Sequence, residues 1–344
     1  MNGLSNQGKW QIWKGVILQV VCILLLMTAG YFMQSHWGIW GLVGTELMFL
    51  FIAIGYTLFK KTPLKEVFPF KKPNIRHLLG TGFIWAGCLL LGMLGVGISG
   101  FIFPKLMGDT MTGLNQVITG GPVIISFLVV ACMPPFCEEA IERGAVLSHF
   151  RSLKNKNWLI VLIMGIFFGI FHLDPIRFLT TAILGGALTY VMVKTDNFLY
   201  PMLLHFVNNA FSVIISNLSS LIYGNETMET AVQTYSNFDR SMAIQIIGSY
   251  LFIGFVAPLL IALGILFFMD KLPKNADREA KKARSKKTTR MFVIAAIISC
   301  IMMASGLMIT MLYTMKTPQY QEQYNQMLEQ LSEAEGAALL YCQI

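Results

Sequence analysis

Charged residues are scarce in this 344-residue sequence, in which Asp, Glu, Lys and Arg together make up 13% of the chain. Hydrophobic residues make up 55%, and the mean hydropathy is +0.61. A soluble domain cannot hide that much apolar surface from water, so the composition predicts that a lipid bilayer is the solvent for most of the chain. The shortage of charge therefore excludes an ordinary soluble enzyme.

Cysteine is also sparse, with six residues in the chain. Five of them lie in or beside apolar runs: Cys22, Cys88, Cys132, Cys137 and Cys300. Such thiols behave as small buried hydrophobic side chains, and the pattern excludes a disulfide framework. The sequence has no convincing internal repeat and no low-complexity segment. No persuasive cleavage site follows the first apolar run, which predicts an uncleaved first membrane span.

Long apolar runs are what the sequence has in abundance. They predict an all-α polytopic membrane bundle of about eight to nine transmembrane helices. The nine candidate spans lie near residues 16–33, 38–59, 78–103, 122–141, 158–173, 178–193, 198–216, 243–269 and 291–315. The fifth and sixth spans are short for separate full crossings.

The 26 basic residues are distributed unevenly among the loops. If the N-terminus is cytoplasmic, 22 of them fall on that side and four fall outside, namely Lys105, Arg177, Arg240 and Lys316. This asymmetry predicts a cell-membrane protein with a cytoplasmic N-terminus and an extracytoplasmic C-terminus. Topology thus explains the net charge of +8, and no nucleic-acid partner is predicted. The partners expected are the lipid bilayer, including anionic headgroups at the basic linker 271–290, and a peptide or protein substrate.

Three zones follow along the chain. Residues 1–121 contain the N-terminal transmembrane helices, and Glu46 is the exceptional ionisable residue within them. Residues 122–216 contain four closely spaced spans and nearly all the ionisable side chains at membrane depth. Residues 217–344 contain an outside loop, the C-terminal transmembrane helices, a basic cytoplasmic linker and a polar tail. An ionisable residue at membrane depth costs about 2.5–3.5 kcal/mol, so function is expected in the middle zone.

The first polar cluster lies in the stretch CMPPFCEEAIERGAVL, residues 132–147. Two consecutive prolines cannot continue a regular helix, so we expect a kink or restart that leaves Glu138 and Glu139 in the first turn of the new piece. Glu139 and Arg143 are four residues apart and are predicted to pair. Glu138 points about 100° away and stays available for another role. The alternative is a span that leaves the membrane here, with Glu142 and Arg143 at the water line.

Two further clusters contain histidine. In GIFFGIFHLDP, His172 lies deep in an apolar run with Phe168 one turn before it. In YPMLLHFVNNAF, His205 and Asn209 are four residues apart and project from one face. Each cluster alone also fits polar contacts between packed helices. Counting residues from the cytoplasmic helix ends places Glu138 and His172 about 20 Å deep and His205 about 11 Å deep, so their convergence requires tilted or extended helices.

The three motifs together resemble the signature of the CPBP family, the CAAX proteases and bacteriocin-processing enzymes. This family includes the type II CAAX prenyl endopeptidase and bacterial lysostaphin-resistance-like proteins. The motifs occur in the family's order within residues 122–216: Glu138-Glu139-x-x-x-Arg143, Phe168-x-x-x-His172 and His205-x-x-x-Asn209. One departure is Glu142, because the family usually has an aromatic residue immediately before the arginine.

The resemblance implies an all-helical intramembrane endopeptidase whose active site lies in a cavity open to the cytoplasm. The implied substrate is a membrane-associated or leader-bearing peptide, and no cofactor is expected. Six residues carry the implied chemistry. The resemblance implies that Glu138 is the general base on the attacking water and that His172 holds this water. His205 and Asn209 are the implied oxyanion donors, and Glu139 and Arg143 form a supporting pair.

Three alternatives stay open. In the first, Glu138, His172 and His205 bind Zn²⁺ for the same hydrolysis, although the lack of an HExxH-type helix favours the metal-free mechanism. The second is a cysteine enzyme using Cys137, which is disfavoured because the neighbouring carboxylate opposes a thiolate. The third is a non-catalytic membrane scaffold or bacteriocin-immunity protein, since a fold does not determine function. Neither the substrate nor the oligomeric state follows from the sequence.

Overall fold

The computed structural model describes residues 11–153, 156–273, 275 and 277–341, with the side chains of 223–236, 319 and 332–341 excluded. All secondary structure in this part of the chain is helical, which confirms the predicted all-α bundle. Eight helices are long and apolar enough to cross a membrane. A further apolar helix, Asn157–Phe171, has 15 residues and is therefore about 22 Å long, shorter than the hydrocarbon core.

The helices are labelled α1 to α11 in chain order, and a single helical turn, Leu64–Val67, lies between α2 and α3. Their bounds are α1 Ile12–Trp37, α2 Ile39–Phe59, α3 Ile75–Ile102, α4 Pro104–Thr119, α5 Val123–Phe150, α6 Asn157–Phe171, α7 Phe178–Thr195, α8 Leu199–Ser236, α9 Arg240–Phe268, α10 Arg278–Thr314 and α11 Pro318–Tyr341. Each of the nine predicted spans corresponds to one of these helices.

Two helical regions extend beyond the predicted spans. Pro104–Thr119 forms α4, which begins with proline in its first turn and buries Met107 and Ile118. Residues 217–236, predicted to belong to an outside loop, continue α8, so the prediction of a loop is wrong for them, while their location outside stays a prediction. A search for long apolar runs misses both regions because their polar residues interrupt the run, whereas a helix requires only backbone hydrogen bonds and a partly apolar face.

Four connections that the basic-residue pattern places in the cytoplasm meet at one end of the bundle. Asp196, after α7, accepts hydrogen bonds from Lys71 and Arg151, each at 2.8 Å. Burial opposes ionisation of Asp196, but the hydrogen bond from Lys71 and the charge of Arg151 hold its pKa below the usual range. Arg76 at the start of α3 donates to the Met269 carbonyl after α9. These contacts place the four loops together, as the predicted threading requires.

Helices α6 and α7 pack closely through glycines. A Cβ atom added at Gly165 would lie 2.8 Å from the carbonyl oxygen of Ala182, and one added at Gly185 would lie 2.5 Å from Cβ of Phe168. Side chains of any size would push the two backbones apart, so small residues are required here, as is common between membrane helices. The close approach brings the Gly185 carbonyl and the Phe168 ring to the interior side of α5.

Candidate active site

Helix α5 carries the acidic stretch, and its backbone changes hydrogen-bond pattern twice. Two π-helical stretches, Phe127–Cys132 and Ala140–Val146, flank an α-helical piece, Met133–Glu139. Pro134 and Pro135 lie in the first turn of this piece, where a missing N–H is tolerated. The expected restart is therefore present at Met133. The prediction that Glu138 and Glu139 occupy its first turn is wrong, because they are its last two residues.

The prolines leave the carbonyl of Val130 without a backbone donor, because the residues four and five positions ahead are Pro134 and Pro135. Asn209 on α8 supplies that donor, with its Nδ2 at 3.0 Å from the Val130 oxygen. Its Oδ1 accepts from Nδ2 of Asn208 at 3.3 Å. A carboxamide has two N–H groups, so Asn209 ties α8 to the proline segment and retains one donor for another acceptor.

The ion pair predicted from the spacing of Glu139 and Arg143 is present. Arg143 Nη1 donates to Glu139 Oε1 at 3.1 Å, and both side chains are fully buried. Arg143 Nη2 donates to the Gly185 carbonyl at 3.0 Å, and its Cζ lies 4.3 Å from the centre of the Phe168 ring. The guanidinium is thus enclosed by α5, α6 and α7. This burial contradicts the alternative in which Arg143 marks the water line.

His205 connects the ion pair to Glu138. Its Nδ1 lies 2.9 Å from Glu139 Oε1, and because a carboxylate only accepts, Nδ1 is the donor. Its Nε2 lies 3.9 Å from Glu138 Oε2, which is too long for a direct hydrogen bond. Glu138 Oε2 is buried and has no hydrogen-bond partner in the described part of the chain. One carboxyl oxygen of Glu138 therefore remains able to accept a proton beside an imidazole nitrogen.

His172 lies immediately after α6, at the edge of the same group. Its Nδ1 donates to the Phe168 carbonyl at 2.8 Å, so Nε2 carries the lone pair of the neutral ring. The rings of His172 and His205 both pack edge-to-face on Phe168, with centroid distances of 4.7 Å and 5.7 Å. Phe168 thus contacts both imidazoles and also packs against the Arg143 guanidinium. This packing gives the aromatic residue of the second motif a physical role.

Glu142, the departure from the family signature, contacts α1. Its Oε1 accepts a hydrogen bond from Gln19 Nε2 at 2.7 Å, and both residues are buried. Burying a carboxyl group without a partner is costly, and Gln19 supplies one. Glu142 therefore joins α1 to α5 within the bundle.

Two residues outside the predicted set belong to the same neighbourhood. Glu46 on α2 is 4% exposed, and its carboxyl group is in hydrogen-bonding contact with that of Glu138. Arg177, just before α7, interacts electrostatically with Glu138 and His172. The sequence does indicate that Glu46 has a partner, since a lone ionisable residue in an apolar span requires one. The sequence did not reveal which helix supplies that partner.

The donor atoms of the zinc alternative are not assembled in this geometry. Among the described residues, no group of three or more His, Cys, Asp or Glu side chains is arranged so that it could hold a metal ion. His205 directs Nδ1 to Glu139, and His172 directs Nδ1 to a backbone carbonyl, so each ring offers only Nε2.

Residues 120–211 match the protein-family model described as Type II CAAX prenyl endopeptidase Rce1-like. All six residues of the predicted catalytic set lie within the matched range, and the match confirms the recognition made from the three motifs. No curated protein and no solved structure matches the chain. The family match and the eight apolar helices support a multi-pass membrane protease of the CAAX endopeptidase kind.

Proposed function

We propose that the chain is an intramembrane endopeptidase in which Glu138 activates a water molecule to hydrolyse peptide bonds of membrane-associated or leader-bearing peptides. The observation that carries this proposal is the buried oxygen Glu138 Oε2, which lacks a hydrogen-bond partner in the described residues and lies 3.9 Å from His205 Nε2. The family match over residues 120–211 supports the same class of reaction.

The first half of the reaction requires a base and a positioned water. Glu138 Oε2 accepts one hydrogen of the water, and His172 Nε2, which carries the lone pair of its ring, accepts the other. The water oxygen then attacks the peptide carbonyl carbon. A C–O bond forms, one proton passes to Glu138, and the carbonyl oxygen becomes an oxyanion.

The second half requires donors for the oxyanion and a proton for the leaving amine. His205 donates from Nε2, while the Glu139 carboxylate holds the ring through its Nδ1–H. The second N–H of Asn209 is the other donor. Glu138 then returns its proton to the amide nitrogen as the C–N bond breaks. Arg143 and Glu139 hold the His205 ring in one orientation, as carboxylates often do for catalytic imidazoles.

The test of this function is a comparison of peptide termini in the membranes of cells that produce the wild type or Glu138→Ala. We expect uncleaved termini of a defined set of peptides to accumulate only with Glu138→Ala. Quantitative mass spectrometry of the membrane fraction measures this difference. Glu142→Gln is the matched control, because it also neutralises a buried carboxyl group of α5 and keeps an acceptor for Gln19.

Identical termini in the wild-type and Glu138→Ala membranes would contradict the proposal and favour a scaffold. The metal-free step is checked on purified active protein by chelation followed by metal analysis. Cleavage that persists after bound metal is removed supports the glutamate mechanism. Cleavage that is lost and restored by Zn²⁺ alone contradicts it.

The orientation of the protein in the membrane is a further prediction, with the N-terminus and the basic segment 271–290 in the cytoplasm. It depends on the 22-to-4 split of basic residues. A reporter that is active only in the cytoplasm should be active when fused after residue 285 and inactive when fused after residue 239. A reporter that is active only outside should give the opposite pattern. The reverse result at both positions would contradict the predicted orientation but would be compatible with the same helical bundle.

A further inference from the structure

Glu46 is a buried carboxyl group that the proposed reaction leaves unused. It lies on α2, which packs against the Met133–Glu139 piece of α5. It is 4% exposed, its carboxyl contacts that of Glu138, and its Oε2 has no hydrogen-bond partner in the described residues. A carboxyl group at membrane depth is costly to bury, so its place beside the proposed base requires an explanation.

The contact between the two carboxyl groups requires a proton. Ionised carboxylates only accept hydrogen bonds, so a hydrogen bond between Glu46 and Glu138 forms only when one of them is protonated. His205 Nε2 lies 3.9 Å from Glu138 Oε2, and the buried pair of Glu139 and Arg143 holds the His205 ring there. The electrostatic influence on Glu46 comes from Glu138. The negative charge is therefore better placed on Glu138, and the proton on Glu46.

We infer that Glu46 is a positioning residue, a neutral carboxylic acid that donates a hydrogen bond to the Glu138 carboxylate and fixes the orientation of this base. The inference rests on the proposed function of Glu138. With one oxygen of Glu138 held by Glu46, the other oxygen of the same carboxylate is left to accept the proton of the water. Preorganisation of this kind matters because a misplacement of about 1 Å in a reacting group costs roughly 10²-fold in rate.

The proton of Glu46 is not consumed in the reaction. The proton that Glu138 takes from the water is the one that it returns to the leaving amine, while a C–O bond forms and the C–N bond breaks. Glu46 keeps its own proton throughout and prevents repulsion between two adjacent carboxylates. It therefore acts through Glu138 and does not contact the substrate.

The first experiment compares Glu46→Gln with Glu46→Leu in purified protein. The probe is one peptide identified among those that accumulate in Glu138→Ala membranes. Glutamine still donates a hydrogen bond to Glu138, so Glu46→Gln should cleave at nearly the wild-type kcat. Leucine does not donate, so kcat of Glu46→Leu should fall by up to about 10²-fold with KM little changed. The melting temperature of Glu46→Leu should not fall, because burying an apolar side chain costs less free energy than burying a carboxyl group.

Thr57→Val is the matched control for Glu46→Leu. Thr57 is also buried on α2, and within the described part of the chain its hydroxyl bonds to the Ala53 carbonyl of its own helix. This variant should keep the wild-type kcat. If Glu46→Leu also keeps the wild-type kcat, or if Glu46→Gln is as slow as Glu46→Leu, the role of Glu46 is refuted. Cleavage by Glu138→Gln would instead refute the proposed function, so the two failures are distinguishable.

A second readout does not depend on cleavage. The infrared difference spectrum between wild type and Glu46→Gln at neutral pH should contain the C=O stretch of a protonated carboxylic acid. The same subtraction with Glu142→Gln gives a reference spectrum for a buried carboxyl group that does not contact Glu138. The Glu46 band should shift in Glu138→Gln, because the acid then donates to a neutral amide and not to a carboxylate. A difference spectrum that shows an ionised carboxylate for Glu46 would overturn the inference.

Discussion

The Glu138→Gln variant is expected to cleave at least about 10²–10⁴-fold more slowly than the wild type, since this is the usual contribution of a positioned general base. Its helical bundle should remain folded. Glutamine has the size of glutamate and accepts a hydrogen bond through its amide oxygen, but it does not take a proton at neutral pH. An amide is also cheaper to bury than a carboxylate. The rate of cleavage of an accumulated membrane peptide and the melting temperature of the purified variant measure the two effects.

The diagnostic result is a pattern across variants. His172→Ala should be about as inactive as Glu138→Gln, and the double variant should be little worse, because both side chains act on one water. Asn209→Ala should lose about 10²–10³-fold, the usual effect of removing one oxyanion donor. It should also melt at a lower temperature, because the Val130 carbonyl loses its donor.

Glu142→Gln serves as the control for this series and should cleave like the wild type. Glu142 lies on the same helix as Glu138, is buried, and bonds to Gln19. A well-folded Glu138→Gln protein that cleaves at the wild-type rate would exclude the glutamate mechanism and favour a scaffold. Loss of activity in Glu142→Gln as well would indicate that any neutralised carboxyl group in α5 disturbs the protein.

The helices were largely predictable because membrane spans depend on composition over about 20 residues. The pairing of Glu139 with Arg143 was predictable for a similar reason, since the helical period alone places residues four apart on one face. Contacts between different helices were not predictable in this way. Gln19 with Glu142 and Glu46 with Glu138 depend on which helices face each other, and periodicity within one helix does not determine that.

The depth mismatch of His205 shows a second limit of counting residues. The ion pair between Arg151 and Asp196 brings the ends of α5 and α7 to one level. Glu139 lies 12 residues before Arg151, which follows the end of α5, and His205 lies nine residues after Asp196, the last six of them along α8. The π-helical stretch between Glu139 and Arg151 bonds each residue to one five positions away, so it holds more residues in a turn than an α-helix. This stretch removes part of the depth difference, and the two side chains meet at 2.9 Å.

The proline segment was only partly predictable. A proline pair predicts a disturbed helix, and the disturbance is present, but it takes the form of a π-helical stretch before Met133. The chain thus stays helical through the prolines with a restart at Met133, and Asn209 on another helix satisfies the Val130 carbonyl. The family resemblance implies an oxyanion role for Asn209, but the sequence does not reveal this second contact.

Arg143→Ala is expected to destabilise the protein by about 3–5 kcal/mol, because breaking a buried ion pair leaves an uncompensated charge. Glu139 would keep only His205, and the Gly185 carbonyl would lose its donor. Thermal unfolding in mild detergent and the yield of monodisperse protein measure the loss. Arg151→Ala is the matched control. The side chain of Arg151 is 8% exposed and that of Asp196 is 19% exposed, but Lys71 remains as a second partner of Asp196, so Arg151→Ala should destabilise the protein less than Arg143→Ala.

The double variant Glu139→Gln/Arg143→Met separates the structural contribution of the pair from its contribution to catalysis. Removing both charges leaves no unpaired ion, and buried pairs can often be replaced by uncharged groups at little cost in stability. We expect the double variant to melt closer to the wild type than Arg143→Ala does. Cleavage should stay low, because His205 then lacks the carboxylate that holds its ring. If Arg143→Ala matched the wild type in yield and melting temperature, the ion pair would contribute no stability, and its burial would have to be explained by the reaction alone.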